Sequence, residues 1–175
     1  MRWLLFVTIV FASCADREGT ALRVVLPIQL PALCENVQNL SSMTAVLFIE
    51  DHDPCALAID DAGLVTGSCE EIALDRNLAL AIVYSLPGTP EVALAYHFSS
   101  ANSPAKASDV TVVFPAETLV IDQDVLDAVD GVTPAPDENT RVMQWAITTI
   151  IQPQGLNLDT DGDGDANLTE LCEGD

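Results

Sequence analysis

The chain has 175 residues, a length that supports one domain with a sizeable core and excludes a large multidomain enzyme. Six Lys and Arg residues stand against 27 Asp and Glu residues, for a formal net charge of −21, so nucleic acids and anionic membrane surfaces are unfavourable direct partners. Hydrophobic residues make up 49% of the chain and charged residues only 19%, which excludes the charge-rich composition of a disordered protein.

The first segment, residues 1–14, has the features of a secretory signal peptide. A basic residue precedes an apolar run from Trp3 to Phe11, which is much shorter than the roughly 20 residues of a membrane-spanning helix. Small residues follow this run, and residues 15–20 are a short polar linker. The pattern predicts export from the cytoplasm.

The end of this segment, Phe11-Ala12-Ser13-Cys14, resembles the lipobox of bacterial lipoproteins, in which small residues precede a cysteine that is lipidated and becomes the new N-terminus. Phe11 departs from the family pattern, which usually has Leu at that position. The resemblance implies a membrane-anchored protein of the bacterial cell envelope, held by acyl chains on Cys14. Cleavage after Ala15 is the alternative and would give a secreted or periplasmic soluble protein; a buried N-terminal strand is a third interpretation.

The cysteines also indicate an oxidising compartment, because the four that follow Cys14 form an even set able to make two disulfides. Cys55 and Cys69 flank an Asp-Ala-Gly sequence that predicts a three-residue hairpin loop, with Gly where positive φ is needed. In that register the two cysteines face each other, which predicts a Cys55–Cys69 disulfide and leaves Cys34 to pair with Cys172. A metal site built from these cysteines is the rival interpretation, and the chain has no C-x-x-C spacing to support it.

Residues 21–121 contain short apolar stretches separated by turn residues, which is typical of antiparallel strands. Large and small side chains alternate on both sides of the Pro-Gly-Thr-Pro turn at 87–90, predicting a hairpin with its bulky face in a core. In the second strand the bulky residues are Val92, Leu94, Tyr96 and Phe98. The predicted fold is all-β, an antiparallel two-sheet sandwich of immunoglobulin-like or similar topology, followed by a helix and a C-terminal metal-binding loop.

Residues 122–157 combine an acidic loop with a segment, 136–152, that fits two structures. As a strand, alternate residues from Met143 to Ile151 share one face. As a helix, a proline and two acidic residues form the first turn and Pro153 ends it. The end signals favour the helix, in which Trp145 is expected to be a core contact.

Residues 158–175 contain the most specific chemical signal of the chain. Calcium prefers about six to eight oxygen ligands, which a twelve-residue loop supplies from positions 1, 3, 5, 7, 9 and 12, with glycine at position 6. Between Asp159 and Glu170 every one of these positions holds a suitable residue. The predicted Ca²⁺ ligands are Asp159, Asp161, Asp163, Asp165, Asn167 and Glu170.

This motif resembles the EF-hand calcium loop, and its Asp-x-Asp-Gly-Asp-Gly run is similar to the single loops of dockerins and thrombospondin type 3-like repeats of exported bacterial proteins. Ala166 departs from the branched aliphatic residue that paired EF-hands usually carry at position 8. Pro153 and Gly155 interrupt a helix entering the loop. The resemblance implies one unpaired structural calcium site; the alternative is a solvated acidic tail.

No G-x-S-x-G, Walker A or glycine-rich dinucleotide motif occurs in the sequence. We therefore expect a calcium-stabilised cell-envelope module that binds a protein or glycan, or acts as an adhesion module or a spacer, rather than an enzyme. The alternative is a small exported hydrolase that uses acidic side chains for its chemistry. Its candidate carboxylates are Asp51, Asp53, Glu70 and Glu71. Convergence of two of them in one concave pocket would favour this alternative.

Overall fold

The computed structural model describes residues 20–27, 43–87, 91–106 and 108–173. The signal segment, Cys14 and Cys34 lie outside the described residues, so the predictions made for them stay predictions. Within the described ranges, no helix is both long and apolar enough to cross a bilayer.

The described part of the chain forms one mixed sheet of eight strands. The strands are β1 (Thr20–Pro27), β2 (Thr44–Ile49), β3 (Cys55–Ile59), β4 (Leu64–Ile72), β5 (Asn77–Leu86), β6 (Val92–Asn102), β7 (Val110–Val112) and β8 (Leu119–Val120). Their order is β7-β1-β4-β3-β2-β5-β6-β8, and neighbours are antiparallel except for the parallel β1–β7 pair. The predicted β-rich class is confirmed. An arrangement of two separate sheets is not confirmed, because β3 pairs with both β2 and β4 and joins the two halves.

Short helices follow the sheet. They are α1 (Gln123–Val129), α2 (Glu138–Ala146), a π-helical segment (Ile147–Ile151), α3 (Gln152–Gln154) and α4 (Asn167–Glu173), and a 3-10 turn (Ala116–Thr118) precedes β8. The helix predicted within 136–152 is confirmed, with Asp137 as its cap, accepting a hydrogen bond from the Thr140 amide at 2.8 Å. Pro153 does not end the helix, because it falls in the first turn of α3, where its missing N–H is tolerated. The helix ends instead at Gly155, which has φ 66°.

Both faces of the sheet are buried, in two separate clusters. The first core takes the larger side chains of β5 together with apolar residues of the other long strands: Leu22, Leu47, Val65, Leu78, Leu80, Ile82 and Tyr84 among them. The second core lies between the opposite face and the helices: Ala79, Ala81, Tyr96, Phe98, Leu126, Val142, Ile150 and Leu158 among them. Small residues on this face of β5 leave room for α2. Trp145 is partly buried against the second core, as predicted.

A bulge in β6 divides its side chains between the two cores. Tyr84 pairs with Ala95 and Ser85 pairs with Ala93, so Leu94 is an extra residue in the ladder. Leu94 lies in the first core, whereas Tyr96 and Phe98 lie in the second. The prediction that these bulky residues share one face is therefore wrong, because an inserted residue reverses the alternation beyond it.

The predicted hairpin of β3 and β4 is confirmed together with its disulfide. Ile59 pairs with Val65, and Gly63 adopts φ 77° in the loop. Cys55 and Cys69 are bonded, with an S–S length of 2.04 Å and Cα atoms 5.8 Å apart. Cys172 is also disulfide-bonded, while its predicted partner lies outside the described residues.

Candidate metal centre

The acidic loop 159–166 is held at both ends by the hydrophobic cores. Leu158, directly before it, is fully buried in the second core, and Leu168, directly after it, is 3% exposed in the first core. The amide of Leu158 also donates to Gln123 Oε1 at 2.9 Å. The segments that flank the loop therefore pack on opposite faces of the sheet, whereas most residues of the loop itself are exposed.

Three of the predicted ligands converge. Asp159, Asp161 and Asp163 each place a carboxylate oxygen within 4.8 Å of the other two. Two oxygens that each lie about 2.3–2.6 Å from one calcium ion can be at most about 5.2 Å apart. The spacing of the three carboxylates is therefore compatible with ligands of one calcium ion.

Backbone amides wrap the loop around its first carboxylate. Gly162 donates to Asp159 Oδ1 at 2.7 Å and Gly164 donates to Asp159 Oδ2 at 3.0 Å. Both glycines have positive φ, 79° and 101°, and no atom would contact an added Cβ at either position. Backbone conformation, rather than lack of space, accounts for glycine at these two positions.

The carboxylate of Glu170, in the first turn of α4, shares the electrostatic environment of the loop aspartates. Partial burial raises the pKa of Glu170, and the negative charges of Asp161 and Asp163 raise it further. Asp165 lies in the loop before α4 and donates its amide to Asp163 Oδ1 at 2.9 Å. As position 7 of the motif, it would offer its backbone carbonyl to an ion. The donor set is made of hard oxygens, which suits calcium.

Asn167 differs from the other predicted ligands because it is only 5% exposed. Its amide is hydrogen-bonded to backbone groups of the loop and of β6. Its role as a ligand stays a prediction.

A second acidic region surrounds the loop that joins β2 to β3. Asp51, His52, Asp53 and Glu71 line an open depression of about 500 Å³. Asp51 forms an ion pair with Arg76 at 2.7 Å. The ring nitrogens Nδ1 and Nε2 of His52 lie 2.6 Å and 3.0 Å from the carbonyl oxygens of Asp53 and Glu70. Three of the four candidate carboxylates of the hydrolase alternative therefore line one depression. Two of the side chains that line it, Asp51 and His52, are already bonded to neighbouring groups.

The other histidine, His97, is buried in the interior and hydrogen-bonded. Its Nε2 lies 3.1 Å from the Pro115 carbonyl, its Nδ1 lies 3.4 Å from the Tyr84 hydroxyl, and its ring packs 5.5 Å from that of Phe114. Burial lowers the pKa of His97, which favours the neutral ring. His97 also lines an apolar cavity of about 430 Å³ between β7 and β8, which the sequence did not indicate because distant strands build it.

No family model matches this chain, and no curated protein matches it at a significant level. Any proposal about its function therefore depends on the residues described above, chiefly those between Asp159 and Glu170.

Proposed function

We propose that this protein is an exported, calcium-binding module of the cell envelope, anchored through lipid on Cys14, in which calcium orders the segment from Leu158 to Leu171. The observation that supports it best is the convergence of Asp159, Asp161 and Asp163 within 4.8 Å. A divalent cation would offset the repulsion among these carboxylates.

The loop aspartates and Glu170 would hold the ion, and the ion would supply positive charge that no described Lys or Arg brings to the loop. Single extracellular calcium sites commonly have a Kd of about 10⁻⁴ to 10⁻³ M. Free calcium at about ten times Kd would stabilise the ordered segment by about 1.4 kcal/mol. That amount makes opening of the terminal segment about tenfold rarer, while the ordered form remains the main one without the ion, and the two cores of the sheet need no ion to form.

The Cys55–Cys69 disulfide supports an exported location, because such bonds persist in oxidising compartments and are rare in the cytosol. The acidic surface is compatible with an envelope protein that binds a protein or glycan, or that holds another component away from the membrane. We propose no catalytic role for this module.

Calorimetry tests the calcium site. Wild type should bind one calcium ion, and the double variant Asp159→Ala/Glu170→Ala should show no binding. A control, Asp61→Ala/Glu117→Ala, removes the same two charges from exposed positions outside the loop and should bind as wild type does. Absence of binding by the wild type, or binding that survives in the first variant, would refute the proposal.

Membrane attachment has its own test. The variant Cys14→Ala should move the protein from the membrane to the soluble fraction of an expressing bacterium. Unchanged fractionation would contradict lipidation while leaving the calcium site unaffected.

A small carboxylate-dependent hydrolase is the second candidate function, favoured only by the shared depression of Asp51, Asp53 and Glu71. Hydrolysis of a panel of glycosides and esters, lost in Asp53→Asn or Glu71→Gln, would support it. The ion pair between Asp51 and Arg76 makes this function less well supported than calcium binding.

A further inference from the structure

Asn167 stands at position 9 of the loop motif, where a calcium ligand is expected, yet it is buried beside the sheet. The residue begins α4, and its backbone amide donates to the Leu158 carbonyl at 2.6 Å. This bond closes the base of the loop between the two leucines that enter the two cores.

The side-chain amide of Asn167 is hydrogen-bonded at both ends. Oδ1 accepts from the Thr160 amide at 3.0 Å, while Nδ2 donates to the carbonyls of Ala93 at 2.8 Å and Asn157 at 2.9 Å. Both Nδ2 protons are therefore used. These partners fix the orientation of the amide, because rotating it by 180° would place Oδ1 against two carbonyl oxygens and Nδ2 against an N–H group.

The contact with Ala93 connects the loop to a strand edge. Among the described residues, β8 pairs with β6 only at Tyr96 and His97, so it does not reach Ala93. Asn167 supplies the donor there, next to the bulge at Leu94. A buried backbone carbonyl needs such a partner, since an unsatisfied one destabilises the fold.

We propose that Asn167 is a positioning residue that fixes the calcium loop on β6, and that it is not a calcium ligand. This inference rests on the proposed calcium function. It implies that the loop and β6 are coupled: calcium in the loop stabilises the beginning of β6, and an ordered β6 raises the calcium affinity by the same factor. Position 9 would then be filled by water, as it often is in such loops.

The variant Asn167→Asp separates the two roles. If Asn167 were a ligand, a carboxylate of the same shape would preserve or increase calcium affinity. As a positioning residue, it loses its donor and places a second oxygen against the carbonyls of Ala93 and Asn157. We expect calcium affinity to fall at least about tenfold, despite the added negative charge, and the melting temperature without calcium to fall by about 5 °C.

The matched control is Asn157→Asp, which makes the same chemical change at an exposed side chain next to the loop. It should leave the melting temperature unchanged and the calcium affinity unchanged or slightly higher. Unchanged stability of Asn167→Asp without calcium, with equal or tighter calcium binding, would overturn the inference.

A measurement on the wild type covers the case in which Asn167→Asp does not fold. In the calcium-free protein, NMR should find the Thr160 amide and the Asn167 side-chain protons protected from exchange with solvent. Rapid exchange of both would also overturn the inference. Both this measurement and the melting temperature are made without calcium, so they separate failure of the positioning role from failure of the wild type to bind calcium.

Discussion

The two acidic regions of this protein differ in how their charge is compensated. Around the β2–β3 loop, Asp51 is paired with Arg76, and Glu50 lies 3.6 Å from Arg141. In the C-terminal loop, three carboxylates converge and no described Lys or Arg forms an ion pair with them. The chain itself compensates part of the charge of the first region, whereas the proposed calcium ion would compensate that of the second. Density of acidic residues alone does not distinguish them; the positions of cationic side chains do.

Substitution of one loop carboxylate should have the largest effect. We expect Asp161→Asn to weaken calcium binding by roughly 2 kcal/mol, or about thirtyfold, because it removes a charged ligand. Asp51→Asn, outside the loop, should not change calcium binding. Terbium luminescence with calcium competition measures both. Equal losses in the two variants would mean that overall charge, rather than loop geometry, controls binding.

Removal of calcium should affect only one of the two regions. With free calcium at about ten times Kd, chelation should increase proteolytic cleavage within 158–173 about tenfold, because the ordered segment loses about 1.4 kcal/mol. Cleavage near Asp51 should not change, since its ion pair is independent of calcium. Mass spectrometry of timed digests measures both rates. A tail that is equally sensitive in both conditions would contradict the calcium-ordering proposal.

Unlike the charged residues of the two acidic regions, the buried His97 should make the folding stability of the protein depend on pH at values of about 6. Because burial lowers the pKa of His97 below its ordinary 6.5, the unfolded chain binds more protons than the folded protein below that pH, and stability falls as pH falls. Stability should therefore fall between pH 6.5 and 5.5 in urea titrations, by at most about 1 kcal/mol, and His97→Gln should reduce this loss. His52→Gln is the control and should keep this loss. A loss of the same size in His97→Gln would assign the pH effect to other groups.

The smallest effect is expected at the ion pair that compensates the first region. Arg76→Ala should lower the free energy of unfolding by only about 0.5 kcal/mol, because both side chains of the pair with Asp51 are substantially exposed. The loss should be the same with and without calcium. Urea titration in both conditions measures it, and a loss that calcium reverses would mean that the two regions are coupled.

Local signals made several elements predictable from the sequence. The Cys55–Cys69 pairing follows from a short turn and strict alternation, which together fix the register. The α2 helix follows from the proline and the two acidic residues at its start, of which the structure makes Asp137 the cap. The loop motif likewise named Asp159, Asp161 and Asp163, and the structure brings these three carboxylates together.

Non-local contacts explain what the sequence did not predict. The pairing of β3 with both β2 and β4 joins strands that no local pattern links. No sequence pattern indicates the bulge at Leu94, because large and small residues alternate without interruption through this part of the strand. The burial of Asn167 depends on Ala93, which lies 74 residues away in the chain.

The inserted Leu94 also determines where this strand could lose a residue during evolution. Replacement by another apolar residue would preserve both layers of side chains. Deletion of Leu94 would leave Ala93 and Ala95 adjacent on the opposite faces they already occupy, so the ladder would become regular with the loss of one buried leucine, whereas deletion of His97 would move Phe98 to the face opposite Tyr96.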